Sequence, residues 1–112
     1  MSAVTLWVNM LMLCLTEIFG DFQLKFFARG GGLLNLGGGM AGYLGVIYFL
    51  IKCFRVSNVL YVNGIWDGAS AILESLAAYF ILGERLSSWH QYAGLGMIIL
   101  GILIMRVGKI PY

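Results

Sequence analysis

Residues 4–27 read VTLWVNMLMLCLTEIFGDFQLKFF, an apolar run with an acidic residue, Glu17, somewhat past its middle. As a helix that rises 1.5 Å per residue, about 20 apolar residues cross the roughly 30 Å of hydrocarbon in a bilayer. A carboxylate at this depth costs several kcal/mol in lipid, so such an acid is a functional candidate by default. The stretch therefore predicts a membrane-spanning helix that carries a functional acid.

Three more apolar stretches follow, at about residues 40–54, 58–82 and 89–105. The 112-residue chain is 61% hydrophobic and 11% charged, with a mean hydropathy of +0.91, whereas soluble domains are about half apolar and a quarter charged. The bilayer replaces a core that a soluble chain of this length could not supply. We expect an all-α membrane protein in which residues 1–112 form one domain of four transmembrane helices. Residues 37–39, all glycine, fit either the second helix or the loop before it.

Several functional classes are disfavoured by the sequence. The connections between the four stretches are short, and there is no nucleophile beside a base and no metal-ligand cluster, so we expect neither an enzyme nor a cofactor or metal. Cys14 and Cys53 lie in apolar runs and are interpreted as reduced structural residues. The net charge of +2 is too small and scattered to indicate nucleic acid. The first apolar stretch has neither a basic start nor a cleavage signal, so we expect it to be retained.

Orientation is predicted from the balance of Lys and Arg, because the cytoplasmic face normally carries the excess. With four spans, one face carries Lys52, Arg55, Arg106 and Lys109, and the other carries Lys25, Arg29 and Arg85. Four against three is almost no bias. The chain is therefore expected to insert in both orientations, so that two opposed copies can pair. The alternative is a single orientation, set by this weak bias or by another subunit.

The third stretch carries two further acids, Asp67 and Glu74. Seven residues apart, they lie on nearly the same helix face, about 10 Å apart along the axis, and we expect that face to point inward. Trp66 beside Asp67 suits an organic cation, because the indole face attracts positive charge that the carboxylate neutralises; an interfacial anchor is the alternative. Asp21 is expected to pair with Lys25, four residues further on.

Glu17 can hold either a proton or a cation, because loss of water favours the neutral form of a carboxyl group. That exclusion is sufficient for antiport, in which protons entering from one side displace substrate on the other. The alternative is a structural carboxyl that is hydrogen-bonded between helices.

In the fourth stretch, Gly94 and Gly101 are one heptad apart and form a smooth stripe, which favours either dimerisation or packing within the chain. His90 is interpreted as an interfacial residue.

Four motifs together resemble the small multidrug resistance family, four-helix transporters of the drug/metabolite transporter superfamily. They are TEIFG at 16–20 followed by LKF at 24–26, GIWDG at 64–68, LGERL at 82–86 and the glycines of 94–101. The resemblance covers almost the whole chain. It implies an antiparallel homodimer of dual-topology subunits that exports cationic compounds in exchange for protons, with Glu17 in the place of the essential acid.

The chain departs from that family at three positions. Asn63 stands where the family usually has a tyrosine, although Tyr61 is nearby, Asp67 replaces a small residue and Glu74 replaces an apolar one. We hypothesise that the extra carboxylates favour a multiply charged or strongly hydrated cation, such as a polyamine or guanidinium compound, over a bulky apolar monocation. The expected proton- and substrate-binding residues are Glu17, Tyr61, Asn63, Trp66, Asp67 and Glu74.

The sequence leaves several alternatives open. The leading expectation is a proton-coupled antiporter in the inner or plasma membrane, which exports quaternary ammonium, guanidinium or polyamine cations through a site at the dimer interface. The competing functions are a non-transporting structural subunit of a larger membrane assembly and a lipid-headgroup flippase of the same superfamily. The partner is expected to be a second copy of the chain or a paralogue.

Overall fold

The computed structural model describes residues 3–107 and 109–111. Within those residues the chain contains four helices and no strand, which confirms the predicted all-α fold. The helices are α1 (Ala3–Ala28), α2 (Leu33–Phe54), α3 (Val59–Phe80) and α4 (Trp89–Met105). The bounds of α1 and α4 lie within one residue of the predicted stretches.

Membrane crossing is supported unequally among the helices. By length and composition, α1 and α2 qualify as membrane spans, whereas α4 is apolar but has only 17 residues. The 22 residues of α3 include Asn63, Asp67 and Glu74, which lower its hydropathy. Large apolar side chains are exposed on all four helices, as expected for a chain that lipid solvates.

The second helix begins at Leu33, seven residues before the predicted start of its stretch. Residues 37–39 are therefore helical, although glycine has low helix propensity. The reason is tertiary packing: Gly39 is buried, and a Cβ added at Gly38 would lie 2.9 Å from Gln23 Cγ on α1. The preceding turn is tight because Gly30 has a φ of 95° and Gly31 N–H donates to Phe26 O at 2.9 Å, a glycine-dependent helix ending.

Close backbone contact between α1 and α2 depends on Gly20 and Gly42. A Cβ added at Gly42 would lie 2.7 Å from Gly20 Cα and 2.9 Å from Thr16 O. Small residues at such crossings allow membrane helices to pack backbone to backbone. This packing fixes the register between α1, which carries Glu17, and α2.

We expect Gly42→Ala to lower the thermal stability of the purified protein. Its methyl group would meet backbone atoms, which cannot move aside, and overpacking of this kind costs about 1–3 kcal/mol. Gly37→Ala is the matched control on the same helix, because no described atom beyond the adjacent residues and backbone of α2 lies within 4 Å of its added Cβ. Thermal unfolding in detergent compares the two variants, and equal stability would contradict the close crossing.

The fourth helix lies at the edge of the chain. It packs only on α3 among the described helices, where Gly64 and Gly68 receive Met105 and Ile102, and none of its own residues is buried. Apart from the adjacent residues and backbone of α4 itself, no described atom lies within 4 Å of a Cβ built at Gly94 or Gly101. The glycine stripe of α4 is therefore not used for packing within the described chain.

Candidate functional site

Three carboxylates converge between α1 and α3. Oxygen atoms of Glu17, Asp21 and Glu74 all lie within 4.8 Å of one another, and each residue is partly buried. Glu17 and Asp21 are four residues apart and share one face of α1, while the packing of α3 against α1 brings in Glu74. We call these three residues the carboxylate cluster.

Two buried polar atoms, one on α1 and one on α3, have no hydrogen-bond partner among the described residues. They are Glu17 Oε1 and Trp66 Nε1. A buried polar atom without a partner carries an uncompensated desolvation cost of about 1–3 kcal/mol, so native structures seldom keep one without a reason. The Glu17 carboxyl hydrogen-bonds with the Ser70 side chain on α3, but its Oε1 acceptor stays open, so Glu17 is not a fully satisfied structural carboxyl.

The neighbours of Asp21 differ from the expectation. Tyr43 on α2 donates its hydroxyl to Asp21, and Lys25 pairs with Glu84 in the segment after α3. The predicted Asp21–Lys25 pair is therefore wrong. Helical spacing made that pair possible, but the chain reversal between α3 and α4 brings Glu84 to the end of α1, where it takes the ammonium group.

The other predicted site residues are distributed over different parts of α3. Trp66 is partly buried and packs against the apolar core, and Tyr61 belongs to that core. Asn63 and Asp67 are exposed. The expectation that Asp67 and Glu74 both point inward therefore holds for Glu74 alone, and the structure does not bring Tyr61, Asn63 or Asp67 into the carboxylate cluster.

Sequence reasoning did not identify Asp21 or Tyr43 as members of the site. The four-residue spacing between Glu17 and Asp21 was a usable signal, because it places two acids on one helix face. No comparable signal existed for Tyr43, since its contact with Asp21 depends on the register between α1 and α2.

A cavity of about 340 Å³ opens beside the cluster, and Asp21 and Glu74 both line it. Lys25 and Glu84, which form the ion pair described above, line the same cavity. Its volume lies at the lower end of the roughly 300–1,000 Å³ typical of small-molecule sites. A small polar solute can thus reach two of the three carboxylates.

The cluster is suited to positive charge. Carboxylate oxygens at this spacing can hold a hard metal cation or accept hydrogen bonds from an ammonium or guanidinium group. Three carboxylates this close repel one another when ionised, and either a proton or a bound cation relieves that repulsion. The arrangement can therefore exchange protons for a cation at one place.

Two curated proteins are similar to this chain over most of their length. Multidrug transporter PA4990 of Pseudomonas aeruginosa is 32% identical over 91 residues, which are 81% of this chain and 82% of that protein. Multidrug resistance protein EbrB of Bacillus atrophaeus is 25% identical over 96 residues, 86% of this chain and 81% of that protein. No family model matches the chain. No solved structure is significantly similar to it.

Proposed function

The chain belongs to the small multidrug resistance family, and we propose that it exports small organic cations in exchange for protons. Its relatives are named for multidrug transport or resistance, so a multidrug exporter, not an enzyme, is the class of protein to which it belongs. Proton coupling and the nature of the cation are the finer parts of the proposal.

The observation that carries the proposal is the buried, unpartnered Oε1 of Glu17 within a cluster of three carboxylates. In one state Glu17 is ionised and holds the cation, and in the other it is protonated and releases it. Because both ligands use the same oxygen atoms, a proton arriving from one side displaces the cation toward the other. This competition is sufficient for exchange without any covalent step.

Trp66 has a supporting role in this proposal. Its indole ring offers a face to a cation. Asn63 and Asp67 lie exposed on the same helix. In this proposal Asn63 and Asp67 contact the substrate only if a second copy of the chain covers α3. Tyr61 supports the site from within the apolar core.

An antiparallel dimer provides that second copy. Two oppositely oriented chains are compatible with the near-equal distribution of Lys and Arg between the faces. The exposed glycine stripe of α4 gives each chain a smooth surface for close helix packing. In such a dimer the two Glu17 side chains serve one transport pathway.

Proteoliposomes under an imposed pH gradient test the proposed exchange. Purified protein should produce proton movement that depends on an added cation, across a panel of quaternary ammonium, guanidinium and polyamine compounds. Protein-free liposomes provide the background. Protein that is inert toward the whole panel would contradict exchange and favour the structural-subunit alternative.

We expect Gly101→Leu to convert the dimer to a monomer. The structure leaves open space around Gly101, so the new side chain fits a single chain but would keep a second α4 at a distance. Gly96→Leu is the matched control, because Gly96 also has open space and lies about 200° around the helix from Gly94. Chemical cross-linking in membranes distinguishes the two, and an intact Gly101→Leu dimer would exclude the stripe as the interface.

A further inference from the structure

A second cavity lies between the end of α3 and the beginning of α4, and it shares Ser75, Ala78 and Glu84 with the cavity beside the carboxylate cluster. Its volume is about 360 Å³. Apolar side chains from both helices form its wall, among them Ile72, Leu76, Leu95 and Ile99. We call this cavity the α3/α4 groove. Neither the proposed transport mechanism nor the resemblance to multidrug transporters assigns it a role.

The groove carries a fixed positive charge. Arg85 lines it, and its guanidinium carbon lies 3.5 Å from the centroid of the Tyr79 ring. Nη1 of Arg85 donates to Tyr79 O and to Glu84 O, both at 2.8 Å. These contacts use one of the three guanidinium nitrogens and hold the planar group in place. The remaining donors suit the planar, two-point recognition of a phosphate that arginine provides.

The charge of Arg85 is not compensated within the described chain. Glu84 lines the same groove, but its carboxylate forms the ion pair with Lys25. Among the described residues, Arg85 forms no ion pair with a carboxylate. The groove therefore combines an apolar wall with one unneutralised cation, and its charge complement is an anion with an apolar tail.

The position of the groove agrees with such a ligand. The α3–α4 connection joins two helix ends, and Trp89, which begins α4, is 70% exposed and stacks on His90 at 3.9 Å between ring centroids. Exposed tryptophan at a helix end is typical of the membrane–water interface. Arg85 is thus placed at headgroup depth, with the apolar wall continuing toward the acyl chains.

We propose that the α3/α4 groove binds an anionic phospholipid, with its phosphate on Arg85 and an acyl chain along the wall formed by Leu76, Leu95 and Ile99. Free phosphate would use the guanidinium but leave the apolar wall without a contact, so the lipid is the better complement. This inference does not depend on proton-coupled transport.

Native mass spectrometry of protein taken from micelles with equal amounts of phosphatidylglycerol and phosphatidylcholine tests the proposal. The wild-type protein should retain phosphatidylglycerol in preference to phosphatidylcholine, and Arg85→Gln should reduce that preference by about fivefold. Arg29→Gln is the matched control, because Arg29 is also exposed and lies on the same predicted face, but outside the groove. Equal lipid preference in the Arg85 and Arg29 variants would overturn the proposal.

A second variant covers the case in which Arg85→Gln does not fold. Leu95→Trp fills the groove without changing the charge, and it should also reduce retained phosphatidylglycerol. Unchanged retention in this variant would place the lipid elsewhere. Cysteines introduced at positions 76 and 95 test whether a second copy of the chain covers the groove instead. Cross-links between two copies at these positions, together with no lipid preference in any variant, would show that it does and would also overturn the proposal.

Discussion

Proteoliposomes that carry Glu17→Gln are expected to show no cation-driven proton movement above the level of protein-free liposomes. Glutamine has nearly the shape of glutamate but cannot take up or release a proton at neutral pH. It also removes one negative charge from a cluster whose three members lie within 4.8 Å of one another. The substitution therefore removes both the proton carrier and part of the attraction for the cation.

The matched variant for this experiment is Glu17→Asp, which keeps an ionisable carboxyl in a shorter side chain. We expect it to retain coupled transport at a reduced rate, since its oxygens no longer reach the same position. Both variants should insert and elute as the wild-type protein does, because Oε1 of Glu17 makes no hydrogen bond in the described chain and both replacements keep a side-chain oxygen that can accept from Ser70, the partner of Glu17. Coupled transport by Glu17→Gln at the wild-type rate would remove Glu17 from the mechanism.

The helix bounds that were predicted well from the sequence are those that depend only on the composition of the helix itself. The long apolar run of α1 and the stretch at Trp89–Met105 each depend only on their own composition. The start of α2 could not be predicted in this way, because residues 37–39 are intrinsically poor helix formers. They are helical because α1 packs against them, with Gly39 buried and Gln23 beside Gly38.

In the candidate site, too, features that depend on one helix could be predicted, and contacts between helices could not. Glu17 stood out because a single acid in an apolar run is costly, and that argument needs no knowledge of the fold. The approach of Glu74 to Glu17 joins α3 to α1, and spacing along one helix cannot reveal it. The i, i+4 rule also assigned Lys25 to Asp21, because it considers only one helix, whereas Lys25 pairs with Glu84 from a distant part of the chain.

Glu74→Gln is expected to reduce transport of a polyamine strongly while changing transport of a monovalent cation little. A monocation can be neutralised by one carboxylate, but the second ammonium group of a dication needs another, and Glu74 lies beside Glu17 and lines the cavity. A hydrogen bond to a charged group contributes about 1.5–3 kcal/mol. Its loss corresponds to a reduction of about tenfold or more in apparent affinity for the dication.

The comparison uses Asp67→Asn, which neutralises the other additional acid on the same helix. Asp67 is exposed and lies outside the cluster, so we expect it to reduce polyamine transport less than Glu74→Gln does in the same liposome assay. Guanidinium, a monocation, reports the general effect of each substitution on activity, and the ratio of the two rates isolates the effect of the second charge. If wild-type protein and the doubly substituted Asp67→Asn/Glu74→Gln protein carried a polyamine at equal rates, the extra carboxylates would not select multiply charged cations. The three-carboxylate cluster would then act through Glu17 alone.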